Sequence, residues 1–223
     1  MSEEQERQYR QEDSKVEVSG FEAKHYDTLM NLITLGWYPS FIRRAIDDLE
    51  LKPGQRVLDL GAGTGRNALL MHERIAPGGE IVALEIGEEM KAQFVKKTRE
   101  YPEIRLEERR IDEPLPYKEE FETVFISFVL HGFVQERRET ILTNAWRALK
   151  PGGRFAILDY NNFDLDTAPA WIRFAVRRVE CPLAEDFIRR DTRQMLSAHG
   201  FGNFRQHGYF RGYLRLLTAE KLF

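Results

Sequence analysis

Two acids and three glycines mark where chemistry is concentrated in this 223-residue sequence. The stretch VLDLGAGTGRNALL, residues 57–70, ends an apolar run near Asp59 and then sets Gly61, Gly63 and Gly65 at alternate positions. A loop of this kind can hold a phosphate, a dinucleotide or a nucleoside. A phosphate loop needs Lys followed by Ser or Thr after its last glycine, and here Arg66 and Asn67 stand there. A dinucleotide loop counted from Gly61 needs a third small residue for close helix–strand packing, and that place falls on Arg66. What remains is a nucleoside without phosphates. Gly61 and Gly63 carry no Cβ, so the backbone can approach such a ligand closely. Asp59 is placed to orient loop amides or a ligand ammonium. Glu85 ends the next apolar run, about twenty residues past the loop, where a carboxylate grips a ribose diol in folds of this kind. Loop and acid together point to S-adenosylmethionine (SAM).

The elements around these residues follow from periodicity. RVLDL (56–60) reads as a buried strand and RNALLMHERI as the helix after the loop. A PGG turn at 77–79 leads into the strand EIVALEI. GEEMKAQFVKKTREY follows as a helix with Met90, Phe94 and Val95 inward. IRLEERR is a short strand. FETVFISFVL is a continuously apolar one, as a strand covered on both faces should be. QERRETILTNAWRALK is a helix, closed by a second PGG at 151–153, and RFAILDY is the fifth strand. Strands alternating with helices imply a parallel sheet wound on both faces. Two helices, in APAWIRFAVRRV and DTRQMLSAHG, then precede two strands joined at Gly208–Gly212, a closing antiparallel hairpin. Ahead of the first strand, residues 25–49 predict two short helices interrupted at Gly36 and Pro39. Residues 1–20 read as a charged, partly disordered arm, and 21–223 as one domain with a helical cap over 21–50.

Composition narrows the class. Hydrophobic residues make up 42% of the chain, enough for a packed core. A formal net charge of −3 gives no electrostatic case for nucleic acid. The single cysteine, Cys181, excludes an internal disulfide and a cysteine-cluster metal site, and no other metal set is expected. No apolar stretch reaches the roughly 20 residues that span a bilayer. The N-terminus is too polar for a signal peptide, so the default expectation is a cytoplasmic protein, monomer or homodimer.

VLDLGAGTG, IVALEIGEEM, FETVFISFVLH and ALKPGGRFAILDY resemble, in order, the motifs of the class I SAM-dependent methyltransferases. The resemblance covers residues 52–160 and implies a doubly wound, mostly parallel seven-stranded α/β sheet with a C-terminal antiparallel hairpin and N-terminal capping helices. HYDTLMNLITLGWYPSFIRRAI and LPY are similar to segments of the UbiE-like quinone C-methyltransferases. The pair Arg110–Ile111 departs from that group's Gly–Asp, and His131–Gly132 from its Arg–Asn. Carried over, the resemblance puts Gly61, Ala62 and Gly63 against the methionine part of SAM. Glu85 falls on the ribose, and Ile86 and Met90 on the adenine face. Ile111 and Asp112 fall at its amino edge, Ser127 and Phe128 on the methyl-donor side, and Tyr26 over the cofactor.

Methyl transfer needs alignment and, for a hydroxyl or an acidic carbon, a base. His131, directly after the fourth strand, is the candidate base, with orientation or packing as its other reading. Tyr26, Trp37, Tyr38, Phe128, Phe133, Tyr160, Phe163 and Trp171 together suggest an apolar pocket for a small aromatic, quinone-like or lipophilic acceptor. A thiol, an amine or a lipid head group is the alternative, as is SAM binding without catalysis. The arginines of RFAVRR (173–178) and IRR (188–190) read as a solvated helix face, with peripheral contact to an anionic membrane left open.

Overall fold

A computed structural model describes residues 37–174, 176–177 and 182–222. The arm over 1–20, the first half of the helical cap with Tyr26, and Cys181 lie outside the described residues.

The expected sheet is present. Seven strands run in the order β3-β2-β1-β4-β5-β7-β6: β1 Arg56–Leu60, β2 Glu80–Leu84, β3 Ile104–Glu107, β4 Phe121–Ser127, β5 Leu149–Tyr160, β6 Phe201–Tyr209 and β7 Leu214–Lys221. β1 to β5 pair in parallel. β7 pairs antiparallel with β5 and with β6, giving the closing hairpin. The chain starts mid-sheet, winds out through β2 and β3, and returns to lay β4 against β1. The order reverses there, and in open α/β sheets ligands bind at the carboxyl ends of the strands at such a point.

Successive residues of a strand face opposite sides, so each apolar run serves two cores. Leu58, Leu60, Val82, Leu84, Val124 and Ile126 pack on one face. They meet α4 (Gln135–Ala148), α6 (Pro182–Arg189) and α7 (Thr192–Ala198). Val57, Ile81, Ala83 and Phe125 face α1 (Trp37–Asp47), α2 (Arg66–Ile75) and α3 (Glu88–Thr98). A short α5 (Ala170–Phe174) precedes α6. Asp191 caps α7 by accepting from the amides of Arg193 and Gln194.

Three local expectations are corrected. Pro39 does not interrupt a helix: α1 runs from Trp37, and in a first turn proline gives up only an amide that has no helical partner. Val95 does not face inward but is 57% exposed, because Met90, Phe94 and Thr98, four apart, fill the buried stripe of α3. The second PGG does not close a helix before a new strand. It lies within β5, opposite a register shift between Phe121 and Thr123, and acts as a bulge. The first PGG is the expected turn: Gly78 takes φ 81°, and a Cβ on Gly79 would come within 2.6 Å of Ile75.

Candidate functional site

The glycine loop leaves β1 and folds back over the end of β2. The amides of Gly61 and Ala62 both donate to the Leu84 carbonyl at 2.9 Å. The Gly63 amide donates to Glu85 Oε2 at 2.8 Å. Glu85 Oε1 accepts from Ile86 N at 2.9 Å and Gly87 N at 2.8 Å. One carboxylate therefore ties the loop to the turn after β2. Gly61, Gly63 and Gly65 all have positive φ, at 75°, 54° and 82°, which only glycine adopts at little cost. Their roles differ. A Cβ on Gly61 would strike Val129 at 2.9 Å, one on Gly65 would strike the Phe94 ring at 2.9 Å, and one on Gly63 would meet nothing within 4 Å. Gly65 is thus the glycine that brings α2 close to its neighbour, a job a dinucleotide loop assigns to a residue further on.

These elements wall a cleft at the carboxyl ends of β1, β2 and β4. Gly61, Ala62, Gly63, Glu85, Ile86, Met90, Ile111, Asp112, Ser127 and Phe128 all line it. Ten residues named from the sequence are thus brought together. Tyr38, Val129 and Phe133 add apolar wall. Phe128 holds φ 54°, an uncommon conformation for a residue with a side chain and one that concentrates at functional sites. Asp112 is gripped by Arg110, Nη2 to Oδ2 at 2.9 Å and Nε to Oδ1 at 3.1 Å.

Two residues expected at the ligand stand elsewhere. Asp59 does not line the cleft. It is 1% exposed beneath the loop, and its Oδ2 has no hydrogen-bond partner among the described residues. Burial, reinforced by the nearby Glu85, pushes its carboxyl up to about 7. His131 also lies off the cleft wall, although Val129 and Phe133 on either side are on it. It sits in a single 3₁₀ turn, Leu130–Gly132. Its Nδ1 is 2.7 Å from Asp159 Oδ1, its ring stands edge-on to Tyr160 at 5.2 Å, and it is buried. Tyr26 falls outside the described residues.

Two side chains that position the site escaped sequence reasoning. Asn144 on α4 donates to the carbonyls of Ile111 and Glu113 at 2.9 and 2.7 Å and accepts from Leu115 N at 3.1 Å, pinning the loop that carries Ile111 and Asp112. Arg138, fully buried on the same helix, donates to the carbonyls of Leu130, His131 and Leu183 and to Asp186. The signal was a polar residue on the stripe shared by Ile141, Leu142, Ala145 and Ala148. Of the arginines read as a basic face, Arg177 and Arg189 pair with Asp166 and Glu185, and Arg190 pairs with Asp186. Among the described residues no group of three His, Cys, Asp or Glu could hold a metal, and no helix is long and apolar enough to cross a membrane.

Comparison with known proteins places this geometry. Residues 57–153 match the methyltransferase-domain family. A demethylmenaquinone methyltransferase of Thermus thermophilus is 36% identical over 140 residues, 62% of each chain. Over its central part the chain is thus similar to SAM-dependent methyltransferases. An uncharacterized methyltransferase of Synechocystis is 27% identical over 203 residues, 87% of this chain and 90% of that one. A SAM-dependent methyltransferase of Aquifex aeolicus superposes with a TM-score of 0.61 at 18% identity, over 81% of this chain and 89% of that one, a likeness of fold. The chain spans about six tenths of the length of the quinone methyltransferases it matches. Its cleft fits SAM on its own terms. Gly63 leaves open the space a Cβ would fill, Glu85 offers a carboxylate, and the loop has no phosphate-binding lysine.

Proposed function

We propose that this protein transfers a methyl group from SAM to a small, apolar, quinone-like ring. The observation that carries the reading is the Glu85 carboxylate, fixed by the Gly63 amide at 2.8 Å on the floor of a cleft at the sheet's switch point. SAM supplies a methyl on a positively charged sulfur. Around it, Glu85 would accept from the ribose hydroxyls. Ile86 and Met90 would pack on the adenine, with Ile111 and Asp112 at its edge. Gly61, Ala62 and Gly63 would face the methionine part through their backbone. Ser127, Phe128, Val129 and Phe133 would form the wall beside the methyl, where an apolar surface keeps water from competing with the acceptor. An aromatic acceptor is supported by that wall and by the names of the relatives, which act on demethylmenaquinone or in ubiquinone and menaquinone synthesis. We also infer a cytoplasmic location.

Calorimetry with SAM and its demethylated product tests the cofactor reading: both bind at micromolar to millimolar concentration. Transfer of labelled methyl into a naphthohydroquinone tests the acceptor. Label appearing only in thiols, amines or lipid head groups overturns the quinone-like assignment and leaves the cofactor reading standing.

A further inference from the structure

A second groove opens at the same end of the sheet as the cleft. Leu214 pairs with both Tyr160 and Tyr209, which sets the turn between β6 and β7 at the carboxyl end of β5. Ser40, Phe41 and Arg44 of α1 line the groove with Tyr209, Phe210 and Arg211 of that turn. Phe41 is the wall between groove and cleft. Its ring stands edge-on to Phe210 at 5.0 Å and to Tyr209 at 5.2 Å. It also lies 6.2 Å from the rings of Tyr38 and Phe128, both of which line the cleft.

The charge along this groove has one sign. Among the described residues no acid lines it. Asp48, outside the lining, accepts from the Tyr209 hydroxyl at 2.6 Å and stands 4.0 Å from Arg44 Nε and 3.7 Å from His207 Nδ1. Arg211 has no ion pair or side-chain hydrogen bond among the described residues. The turn is also held in a costly backbone state. Phe210 and Arg211, at φ 49° and 59°, are successive residues with side chains in the left-handed region, where each Cβ crowds the following carbonyl. Such strain concentrates at functional sites. Here it keeps a large ring 42% exposed beside a cation. Rings and cations without an acid suit an aromatic acid. Its ring packs edge-on against the aromatic side chains, and its carboxylate takes the guanidinium fork.

We propose that the groove anchors the methyl acceptor, and that the acceptor is an aromatic acid whose carboxylate is held by Arg44 and Arg211 while its ring reaches past Phe41 to the wall at Phe128. This rests on the methyltransferase reading above and narrows its quinone-like ring to one with an acidic substituent. A neutral ring of the same size offers nothing to the two guanidiniums, so charge decides between acceptors.

Calorimetry with 2-naphthoate and 2-naphthamide, without SAM, reads the groove directly. The acid is expected to bind about tenfold more tightly than the amide, and its NMR shifts to fall on the backbone amides of residues 208–212. Arg211→Gln, at the exposed turn, brings the two affinities together, and Arg44→Gln narrows the gap likewise. With SAM, wild type prefers a carboxylated naphthohydroquinone to the neutral one about tenfold in kcat/KM, and Arg211→Gln loses that preference through KM. Equal affinities in wild type, or shifts on residues 61–65 and 85–87 alone, overturn the groove and leave the methyltransferase reading standing. Absence of SAM binding, with the discrimination between acid and amide intact, instead removes the methyltransferase reading and overturns the acceptor role. Two further outcomes give the groove to another occupant and overturn the proposal. Binding to phosphatidylglycerol vesicles with no response to 2-naphthoate gives it to a membrane. Self-association that Arg211→Gln abolishes gives it to a second copy of this chain.

Discussion

Glu85 reaches back 22 residues to accept the Gly63 amide at 2.8 Å, so the carboxylate at the end of β2 and the loop after β1 are one unit. A ligand that meets one meets the other already in place. The same carboxylate also accepts from Ile86 and Gly87, so it is oriented before any sugar arrives.

Removing it carries a double cost. Glu85→Ala deletes the expected ribose acceptor and releases the loop. A hydrogen bond to a charged group contributes about 1.5–3 kcal/mol, so SAM affinity is expected to fall about 10- to 100-fold in calorimetry. The demethylated product carries the same ribose, so its affinity falls by the same factor. Wild-type affinity for both in the variant removes the ribose assignment.

The third glycine of the loop is tested against another glycine of the same backbone conformation. Gly65 and Gly54 have φ of 82° and 81°, yet a Cβ strikes the fully buried Phe94 ring at 2.9 Å in the first and meets nothing within 4 Å in the second. Gly54→Ala therefore costs the left-handed conformation alone, about 1–2 kcal/mol. Gly65→Ala adds overpacking, for a total of about 2–5 kcal/mol. Denaturant titration of the two variants separates the terms, and equal losses would refute the packing role.

Much of this arrangement is legible in the chain. Continuous apolar runs in RVLDL and FETVFIS announce strands covered on both faces, and the glycine spacing with Glu85 locates the cleft. Three kinds of information are not written locally. Which of two neighbouring residues on α3 turns inward, Phe94 or Val95, is settled by the packing of α3 against the glycine loop. That PGG at 151–153 is a bulge depends on the register of β4 against β5. The approach of His131 to Asp159, 28 residues apart, requires the same register, and the partners of Arg138 and Asn144, polar residues on the apolar stripe of α4, lie in segments far along the chain.

Asp59 gives the fold a pH dependence of defined sign. Its carboxyl is pushed up to about 7 by burial and by Glu85, whereas in the unfolded chain it titrates near 3.9. Between those values the folded state keeps the proton that the unfolded state has lost. Its contribution to stability is therefore fully present below about pH 4, declines as pH rises towards 7, and is level above that. The slope is at most about 1.4 kcal/mol per pH unit. Asp59→Asn has no such proton, so its stability relative to wild type rises between pH 5 and pH 8. Denaturation midpoints that run parallel across that range would show that Asp59 is ionised throughout.

Arg138 ties the turn after β4 to α6. Its guanidinium bonds the Leu130 carbonyl at 3.3 Å, the His131 carbonyl at 3.1 Å, the Leu183 carbonyl at 3.0 Å and Asp186 at 2.6 Å, and lies over the Phe187 ring at 5.2 Å. One side chain thereby fixes the turn that carries His131 to α6. Arg138→Ala strands buried carbonyls without a donor, at about 1–3 kcal/mol for each left dry, and a net loss of about 3 kcal/mol is expected by chemical denaturation. Arg138→Lys recovers little, because a compact ammonium cannot span acceptors that a planar fork reaches together. Since the turn leads into the cleft wall at Phe133, the lysine variant also broadens the amide signals of residues 129–133 in NMR. A lysine variant as stable as wild type, with sharp signals there, would reduce Arg138 to a replaceable charge.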